Sequence, residues 1–270
     1  MKARLQDAIA YIRTQSSVTP VAGIVLGSGL GNFTANMEIE VEIPYGDIPN
    51  FPVSTVEGHK GRMILGKLDG KPIVVMAGRF HFYEGYSVEE VVFPIRVLKM
   101  MGIQTLFISN AAGGVHPDFE VGDLMIINDH ISFFTPNPLV GPNDPEMGPR
   151  FPDMSEPYNK ELIAKAKAIG AELNIRLHEG VYTGVTGPTF ETRAEYRLIQ
   201  LVGGHAVGMS TVQEVITAVH MGLKVFAISV ITDLGIREED NVITHEEVLA
   251  AAKAAEPKLT ALFRGLIARG

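Results

Sequence analysis

Short apolar segments that alternate with helical patterns constrain the fold of this chain more than any other feature. Five of them read as buried strands: "VAGIVLGSG" (21–29), "KPIVVMAG" (71–78), "TLFIS" (105–109), "LMIIN" (124–128) and "KVFAISVIT" (224–232). Uniformly apolar strands separated by helices are typical of an α/β protein with a largely buried sheet. Because no linker-like composition divides the chain, we predict a single α/β domain over residues 1–270.

Local signals predict where helices and turns begin and end. A Ser or Thr with Glu three positions later predicts a capping box, and we predict one at Ser87 with Glu90, at Thr211 with Glu214 and at Thr244 with Glu247. Asp69-Gly70 predicts a hairpin turn between two apolar runs, and Gly222 predicts a helix end. Residues 130–158 are rich in Pro, Gly and Asp, and a loop of that length inside a domain is usually functional.

The charge balance narrows the possible ligands. The formal net charge is −8, which argues against general binding to nucleic acid or to an anionic membrane. The chain has no cysteine, so disulfides and thiolate chemistry are excluded. The first residues are charged and helix-like, and no apolar run approaches the roughly 18 residues of a membrane span. We expect a cytoplasmic protein. If it binds an anion, the site must be formed by a few cations close together and not by the overall charge.

Several predicted strands end in glycine or polar residues. Ligands of α/β proteins usually bind at such strand ends. Gly27-Ser28-Gly29-Leu30-Gly31 resembles a dinucleotide-binding pattern, but position 32 is Asn where a third glycine belongs. The segment is then either a tight turn or an anion cradle in which backbone N–H groups and the Ser28 hydroxyl donate. The broken pattern disfavours a dinucleotide-dependent dehydrogenase.

Arg79, His81 and Tyr83 alternate directly after the strand "KPIVVMA". In an extended chain, residues two apart share a face, so these three side chains would line one surface. Arg can bind a phosphate or carboxylate through two hydrogen bonds, and His can donate a third. The alternative is an aromatic strand whose arginine lies at the surface.

Other candidate groups are ambiguous one at a time. "SNAAGG" (109–114) allows a ligand to approach the backbone, or is only a tight connection. Ser210 stands at a predicted helix start, where anions are favoured, and Phe190-Glu191 would offer an aromatic face and a carboxylate. His59 in "EGHKG" and His245 in the first turn of the last helix are either site residues or ordinary surface histidines.

Taken together, these segments resemble the trimeric purine nucleoside phosphorylases that act on inosine and guanosine. The matching segments are "GSGLG", "STVEGHKG", "AGRFHFYEGY", "NAAGG", "GPND", "RFPDMS", "GPTFETRAE", "AVGMSTVQEVI" and "HEEVL", which cover roughly residues 20 to 265 in the order of the family. The resemblance implies reversible phosphorolysis of purine nucleosides by a homotrimer. It also implies one α/β domain with a mixed, partly barrel-like sheet flanked by helices.

The resemblance also implies residue roles. Phosphate would be bound by Ser28, His59, Arg79, His81, Ser210 and the backbone of Ala111; the ribose would contact Tyr83, Met209 and His245; and the purine would contact Phe190, Glu191, Val207, Met209 and Asp233. His81, Glu191, Asp233 and His245 would be the catalytic residues. Phe133 or Phe134 would close the site of a neighbouring subunit, since sites lie near subunit interfaces. Phosphate would be a co-substrate, with no metal and no cofactor.

Asp233 departs from the family, whose 6-oxopurine members usually have Asn at this position. Asn can donate to the purine, whereas an ionised Asp only accepts and would suit the 6-amino group of adenosine or, as in the related methylthioadenosine phosphorylases, of methylthioadenosine. Two residues favour 6-oxopurine nucleosides instead. Glu191 suits a purine with a proton on N1, and His245 suits a free 5′-hydroxyl, where the methylthio-specific relatives have an apolar residue. We therefore expect inosine and guanosine as substrates, with a protonated Asp233 or an additional activity on 6-aminopurines as the two ways to accommodate the carboxylate.

Two other functions compete with phosphorolysis. A hydrolase would use water and would not need Arg79, His81 and Ser210 around an anion. A nucleoside-binding module without chemistry would keep Phe190 and Glu191 but would have no reason to retain the anion donors.

Overall fold

The computed structural model describes residues 1–56, 59–236 and 243–270, and the strands within them form one mixed sheet. These strands are β1 (Ala22–Val25), β2 (Glu38–Pro44), β3 (Arg62–Leu68), β4 (Lys71–Ala77), β5 (Thr105–Gly114), β6 (Leu124–Ile131), β7 (Leu177–Gly184), β8 (Ala206–Gly208) and β9 (Lys224–Leu234). Their order is β2-β3-β4-β1-β5-β8-β7-β6-β9, and β9 also pairs with β5. That second pairing closes β5, β8, β7, β6 and β9 into a barrel. The prediction of an α/β fold with a mixed, partly barrel-like sheet is confirmed.

Helices in the same ranges flank the sheet. They are α1 (Lys2–Gln15), α2 (Val88–Met100), α3 (Lys160–Glu172), α4 (Arg193–Leu201), α5 (Val212–His220) and α6 (His245–Arg269). Short 3₁₀ turns cover Gly31–Asn36, Tyr45–Asp47 and Phe82–Glu84. Among the described residues, no helix is both long and apolar enough to cross a membrane.

Turn and cap chemistry set several boundaries as predicted. Asp69 and Gly70 both have positive φ (+49° and +80°), which matches the twist of the β3–β4 hairpin that they connect. The Ser87 and Thr244 side chains accept hydrogen bonds from the backbone three residues on, so the capping boxes that start α2 and α6 are confirmed. Helix α2 continues through Pro94 as one element.

The predicted capping box at Thr211 is wrong. Helix α5 begins directly after Thr211, but this side chain makes no cap hydrogen bond and its backbone has φ of +72°. Its hydroxyl instead accepts from Asn110 Nδ2 at 2.9 Å, and Glu214 pairs with Arg79. Tertiary partners thus replace the local bond. A β-branched residue at positive φ is strained, and such strain concentrates at functional sites.

Parallel pairing brings several strand ends to one edge of the sheet. β1 pairs in parallel with β4 and β5, and β5 pairs in parallel with β9. Because the carboxyl ends of parallel strands lie at the same edge, the segments that follow β1 and β4 lie near the end of β9. One expectation needs correction: "NAAGG" lies inside β5, which continues to Gly114 because β8 and β9 both pair with its last residues.

An aromatic cluster fills the space between the barrel and α6. Phe107 of β5, Phe226 of β9 and Phe263 of α6 are buried, and their ring centroids lie 5.7–6.3 Å apart. Such contacts stabilise the packing beyond the burial of apolar area. The cluster therefore holds the helix that begins at His245 against the two strands that close the barrel.

We predict that Phe226→Ala lowers the free energy of unfolding by about 3–5 kcal/mol, because it removes a fully buried ring and leaves a cavity. Urea unfolding at one protein concentration measures the change. Leu201→Ala is the control, because Leu201 is 83% exposed and its truncation should cost less than about 0.5 kcal/mol. Equal losses in both variants would contradict the assigned core.

Candidate active site

A cavity of about 380 Å³ lies at the edge where the strand ends meet. Twelve of the residues predicted for the site line it: Ser28, Arg79, His81, Tyr83, Ala111, Phe190, Glu191, Val207, Met209, Ser210, Asp233 and His245. Val56, Asn110, Ala112, Gly113, Pro188, Gly208, Thr232 and Val248 complete the lining. The volume falls within the range of small-molecule sites. The structure thus gathers these groups in one cavity, while their individual roles stay predictions.

Arg79 is the buried cation of this cavity. Its side chain is 2% exposed, and its Nε donates to Glu214 Oε1 at 3.1 Å. Nη1 donates to the carbonyl oxygen of Ser109 at 2.7 Å and to Ser210 Oγ at 3.3 Å. Nη2 is buried and has no hydrogen-bond partner among the described residues. An unpartnered buried N–H is costly, so this geometry favours an anion as its partner.

A chain of hydrogen bonds directs the Ser210 hydroxyl. Asn110 Nδ2 donates to Thr211 Oγ1, so the Thr211 hydroxyl proton is available for Ser210 Oγ, 3.1 Å away. Ser210 Oγ also accepts from Arg79 Nη1. With two donors directed at its oxygen, Ser210 can donate its own proton to a ligand. Sequence reasoning missed Asn110 and Thr211 as members of this arrangement.

His59 contacts the glycine turn, residues 27–31, through Ser28 and does not line the cavity. Its Nδ1 accepts from the backbone N–H of Arg79 at 3.2 Å, so Nε2 carries the proton and donates to Ser28 Oγ at 3.0 Å. Burial lowers the pKa of His59 to about 3, assisted by the nearby His81 and Arg79. His59 is therefore neutral at physiological pH and orients Ser28. Its direct contact with phosphate stays a prediction.

His81 and Tyr83 form the side wall next to Arg79. β4 ends at Ala77 and Tyr83 lies in a 3₁₀ turn, so the three residues reach one cavity without the continuous extended strand that we expected. The His81 and Tyr83 rings stack with centroids 4.7 Å apart. Glu84 Oε1 accepts from the His81 backbone at 2.8 Å and lies 3.0 Å from its Nδ1.

Glu84 also fixes the protonation of the His81 ring. Burial alone would raise the pKa of Glu84, but hydrogen bonds from His81 and Thr55 lower it to about 2. The ionised carboxylate can only accept, so Nδ1 of His81 carries a proton and Nε2 is the ring nitrogen left for a ligand. The sequence did not identify Glu84 as the partner of the His81 ring, because a Glu can cap a helix or make a tertiary contact and the residue type does not tell the two apart.

Two carboxyl groups lie at the other end of the cavity. Asp233 is 9% exposed, and its Oδ1 accepts from Thr232 Oγ1 at 3.0 Å. Its Oδ2 would lie 2.9 Å from a Cβ added at Gly113, so the missing side chain there makes room for the carboxylate. Burial raises the pKa of Glu191, and the charge of Asp233 adds to the effect. Because like charges repel, the state in which Asp233 and Glu191 are both ionised is disfavoured.

Phe190, Val207 and Met209 form the apolar walls around this end. Met209 lies close to Gly187: a Cβ added to Gly187 would be 2.3 Å from the Met209 sulfur, and its φ is +65°. Both facts require glycine at position 187. His245, the first residue of α6, lines the cavity, which excludes the alternative of a remote surface histidine.

Helix α6 also holds the glycine turn through Glu256. This residue is 5% exposed and accepts from Asn32 N at 2.6 Å, Asn32 Nδ2 at 3.0 Å and Phe33 N at 3.1 Å. Gly29 packs on the same helix, since a Cβ there would be 2.9 Å from Ala252 Cβ. The Asn32 that breaks the dinucleotide pattern is thus the residue by which α6 holds the turn.

The long loop brings Phe134 next to the cavity. Phe134 is 41% exposed and lines an adjoining pocket of about 220 Å³ that shares Glu191 with the main cavity. Phe133 is 91% exposed and lines a different pocket, with Phe151 and Val140. Neither phenylalanine lines the main cavity of its own chain. The predicted contact with a neighbouring subunit is therefore left as a prediction.

Comparisons with known proteins identify the family of this chain. A model of the phosphorylase superfamily matches residues 21–268. Purine nucleoside phosphorylase 1 of Bacillus subtilis (strain 168) is 48% identical over 269 residues, which cover 100% of this chain and 99% of the relative. The chain belongs to the purine nucleoside phosphorylases. The enzyme of Mus musculus with this name is 49% identical over 258 residues, covering 92% of this chain and 89% of the relative.

Solved structures of purine nucleoside phosphorylases share the fold. Isoform 2 from Schistosoma mansoni, in complex with cytosine and ribose-1-phosphate, has a TM-score of 0.94 and 44% identity, and the match covers 99% of this chain and 96% of that one. A Schistosoma mansoni purine nucleoside phosphorylase in complex with adenosine has a TM-score of 0.92 and 40% identity, with 98% and 96% coverage. As a purine nucleoside phosphorylase, this chain is an enzyme that catalyses phosphorolysis of purine nucleosides.

We predict that Glu256→Gln raises the KM for phosphate about 10-fold, because it replaces the carboxyl group that accepts the three hydrogen bonds holding the glycine turn. The KM for the nucleoside should change less than about 2-fold, since the purine end keeps its contacts. Steady-state kinetics with varied phosphate measure both constants. Glu161→Gln removes the same charge from an exposed helix position and should leave both unchanged. A parallel rise of both constants would contradict a role specific to the turn.

Proposed function

We propose that this enzyme cleaves the 6-oxopurine nucleosides inosine and guanosine, in their ribo and 2′-deoxy forms, to the free purine and the pentose 1-phosphate. The observation that carries the proposal is that one cavity is lined by anion donors, by an acceptor carboxylate, Glu191, and by His245. The reaction breaks the bond from purine N9 to C1′ and forms a bond from a phosphate oxygen to C1′.

At the anion end, phosphate would accept hydrogen bonds from Arg79 Nη2, Ser210 and Ser28. Each has a donor available: Nη2 has no described partner, and both hydroxyls receive a hydrogen bond from a neighbour. His81 and Ala111 also line the cavity, and we assign the His81 side chain and the Ala111 backbone to the same phosphate. Preorganised donors of this kind bind an anion without reorganisation during the reaction.

The same phosphate would assist cleavage of the glycosidic bond. Breaking such a bond gives the sugar an oxocarbenium-like character. A bound phosphate beneath C1′ stabilises the developing positive charge and then captures the carbon. Tyr83, Met209 and His245 would hold the ribose above it, with His245 at the 5′-hydroxyl. The protein need not supply a covalent nucleophile.

At the purine end, Glu191 would accept the N1–H of a 6-oxopurine between the walls formed by Phe190 and Val207. The purine leaves with the electron pair of the broken bond, so a donor near N7 and O6 lowers the barrier. Asp233 can be this hydrogen-bond donor only when its carboxyl group carries a proton. The raised pKa of Glu191, caused by burial and by Asp233, supports a single shared negative charge at this end.

The second candidate substrate class is the 6-aminopurine nucleosides. Asp233 favours it, because an ionised carboxylate there would accept from a 6-amino group. We propose the 6-oxopurines as the main substrates because Glu191 matches the N1–H that adenine lacks.

We also propose a homotrimer in the cytoplasm that serves purine salvage. The exposure of Phe133 and the position of Phe134 beside Glu191 support a contact between neighbouring subunits near the site. Sedimentation analysis tests the oligomeric state directly.

We expect phosphate-dependent cleavage of inosine and guanosine to exceed that of adenosine by at least about 10-fold in kcat/KM, the usual worth of one matched hydrogen bond to a charged group. Product assays with and without phosphate measure the difference. Dominant turnover of adenosine would overturn the substrate assignment, and turnover that does not need phosphate would favour a hydrolase.

We expect Arg79→Ala to lower kcat/KM by at least about 100-fold while guanine binding falls less than about 3-fold, since the guanidinium serves the anion and not the base. Calorimetry with guanine also reports whether the variant is folded. Arg264→Ala, which removes an exposed pair with Asp69, is the control and should retain activity. Equal loss of turnover and guanine binding would favour a nucleoside-binding module.

A further inference from the structure

Glu214 is a buried carboxylate that reaches the cavity only through Arg79. It is the third residue of α5 and does not itself line the cavity. Its Oε1 accepts from Arg79 Nε at 3.1 Å, and the two side chains form an ion pair that is 2% exposed at Arg79 and 5% exposed at Glu214. Water screens a pair buried to this degree very little, so each charge acts strongly on the other and on a nearby ligand.

Two acceptors hold the Arg79 guanidinium in place. Glu214 accepts from Nε, and the carbonyl oxygen of Ser109 accepts from Nη1 at 2.7 Å. Because these bonds use two different nitrogens of one planar group, they fix its plane and the direction of its remaining N–H bonds. Thr211, directly before α5, has a positive φ of +72° and makes no cap hydrogen bond. The start of the helix is therefore strained where it places Glu214 against Arg79.

The two basic side chains that line the cavity and are assigned to phosphate are both paired with carboxylates. Glu214 lies 3.1 Å from Arg79 Nε, and Glu84 lies 3.0 Å from His81 Nδ1. His59 does not add a positive charge, because its Nδ1 accepts a hydrogen bond from the Arg79 backbone and so carries no proton. Phosphate would thus be held by directed N–H and O–H donors and not by a net positive charge.

This balance suits a reaction that takes up one anion and releases another. Inorganic phosphate and the pentose 1-phosphate are both negatively charged, so an uncompensated cation would strengthen the binding of substrate and product alike. Binding that is equally strong before and after the transition state does not speed the chemical step. Donors fixed in direction do contribute to it, because they hold the phosphate in position to attack.

We propose that Glu214 is a positioning residue with two effects on phosphate: it directs the Arg79 guanidinium, and it cancels the charge of that group so that the anion binds with moderate affinity and exchanges readily. The inference rests on the proposed function, because it takes phosphate to be the ligand of Arg79. It assigns to the reaction a residue that touches neither the phosphate nor the nucleoside.

Glu214→Gln tests the effect of charge. The amide oxygen can still accept from Arg79 Nε, and the amide nitrogen takes the place of Oε2, which is buried and has no hydrogen-bond partner among the described residues. The guanidinium keeps its direction but loses its counter-charge. We expect the Kd of inorganic phosphate to fall at least about 10-fold, because an uncompensated buried cation attracts the anion more strongly. Titration calorimetry with inorganic phosphate, without nucleoside, measures this constant.

Glu214→Asp tests the effect of direction. The negative charge remains, but the carboxylate is withdrawn by one methylene from Arg79 Nε, so the guanidinium is no longer held in its plane. We expect the Kd of inorganic phosphate to rise at least about 10-fold. The two variants thus move one constant in opposite directions, whereas a role in folding alone predicts weaker binding in both. A Kd that is unchanged or higher in Glu214→Gln, or within about 2-fold of wild type in Glu214→Asp, would overturn the inference.

The stability of Glu214→Gln gives a second readout. Leaving a buried guanidinium unpaired destabilises the fold, and a bound anion restores the missing partner. We therefore expect inorganic phosphate to raise the Tm of this variant more than the Tm of the wild type, and folding only in the presence of phosphate would support the same conclusion. A variant that stays unfolded at saturating phosphate would contradict it, because the anion would then not compensate for the lost charge.

Glu89→Gln is the matched control. Glu89 forms an ion pair of similar length with Arg4, 3.2 Å, but both side chains are substantially exposed and neither lines the cavity. The same loss of charge there should leave the Kd of phosphate within about 2-fold of wild type. Guanine binding should also stay within about 2-fold in both Glu214 variants, which shows that the purine contacts are intact.

The inference and the proposed function fail in different ways. If Arg79→Ala binds inorganic phosphate as tightly as the wild type, the proposed contact between Arg79 and phosphate is wrong, whatever Glu214 does. If Arg79→Ala loses phosphate binding but Glu214→Gln does not tighten it, the inference about Glu214 alone is wrong.

Discussion

The parallel pairing of β5 with β9 is the constraint on which the site depends. It runs from Thr105 beside Lys224 to Gly114 beside Leu234, and it closes the barrel. It places Gly113 beside Asp233, and the chain then leads to α6 and His245. Because β1 and β4 lie on the other side of β5, the glycine turn and Arg79 reach the same edge. One ladder of backbone hydrogen bonds thus brings distant segments within reach of one nucleoside.

The sequence predicted the fold class and most of the cavity lining, for a physical reason. Strand cores are apolar on both faces and their ends carry glycine or polar residues, so both signals are local and periodic. The alternation of Arg79, His81 and Tyr83 is another local signal, and all three do line the cavity. The roles of these residues followed from the family resemblance, since no local pattern distinguishes a phosphate contact from a ribose contact.

Apart from Glu84, which contacts His81 three positions away, the residues that sequence analysis missed act over long separations. Glu214 pairs with Arg79 across 135 positions and Glu256 binds Asn32 across 224. Local rules assigned Glu214 to a helix cap, yet a buried guanidinium is the stronger partner, because an unpaired buried charge costs more than a lost cap. Thr211 was assigned to the same cap but hydrogen-bonds Asn110 instead. These hydrogen-bond partners cannot be predicted from a local sequence pattern, because each pairing depends on which strands become neighbours in the fold.

The hydroxyl chain from Asn110 through Thr211 to Ser210 has a consequence for what the cavity admits. Ser210 Oγ accepts from Arg79 and lies beside the Thr211 hydroxyl, and Ser28 Oγ accepts from His59, so the proton of each serine hydroxyl is available to a ligand. An oxyanion, which can only accept hydrogen bonds, matches both donors. The protein's own hydrogen bonds thus set the direction of these two hydroxyls before any ligand arrives.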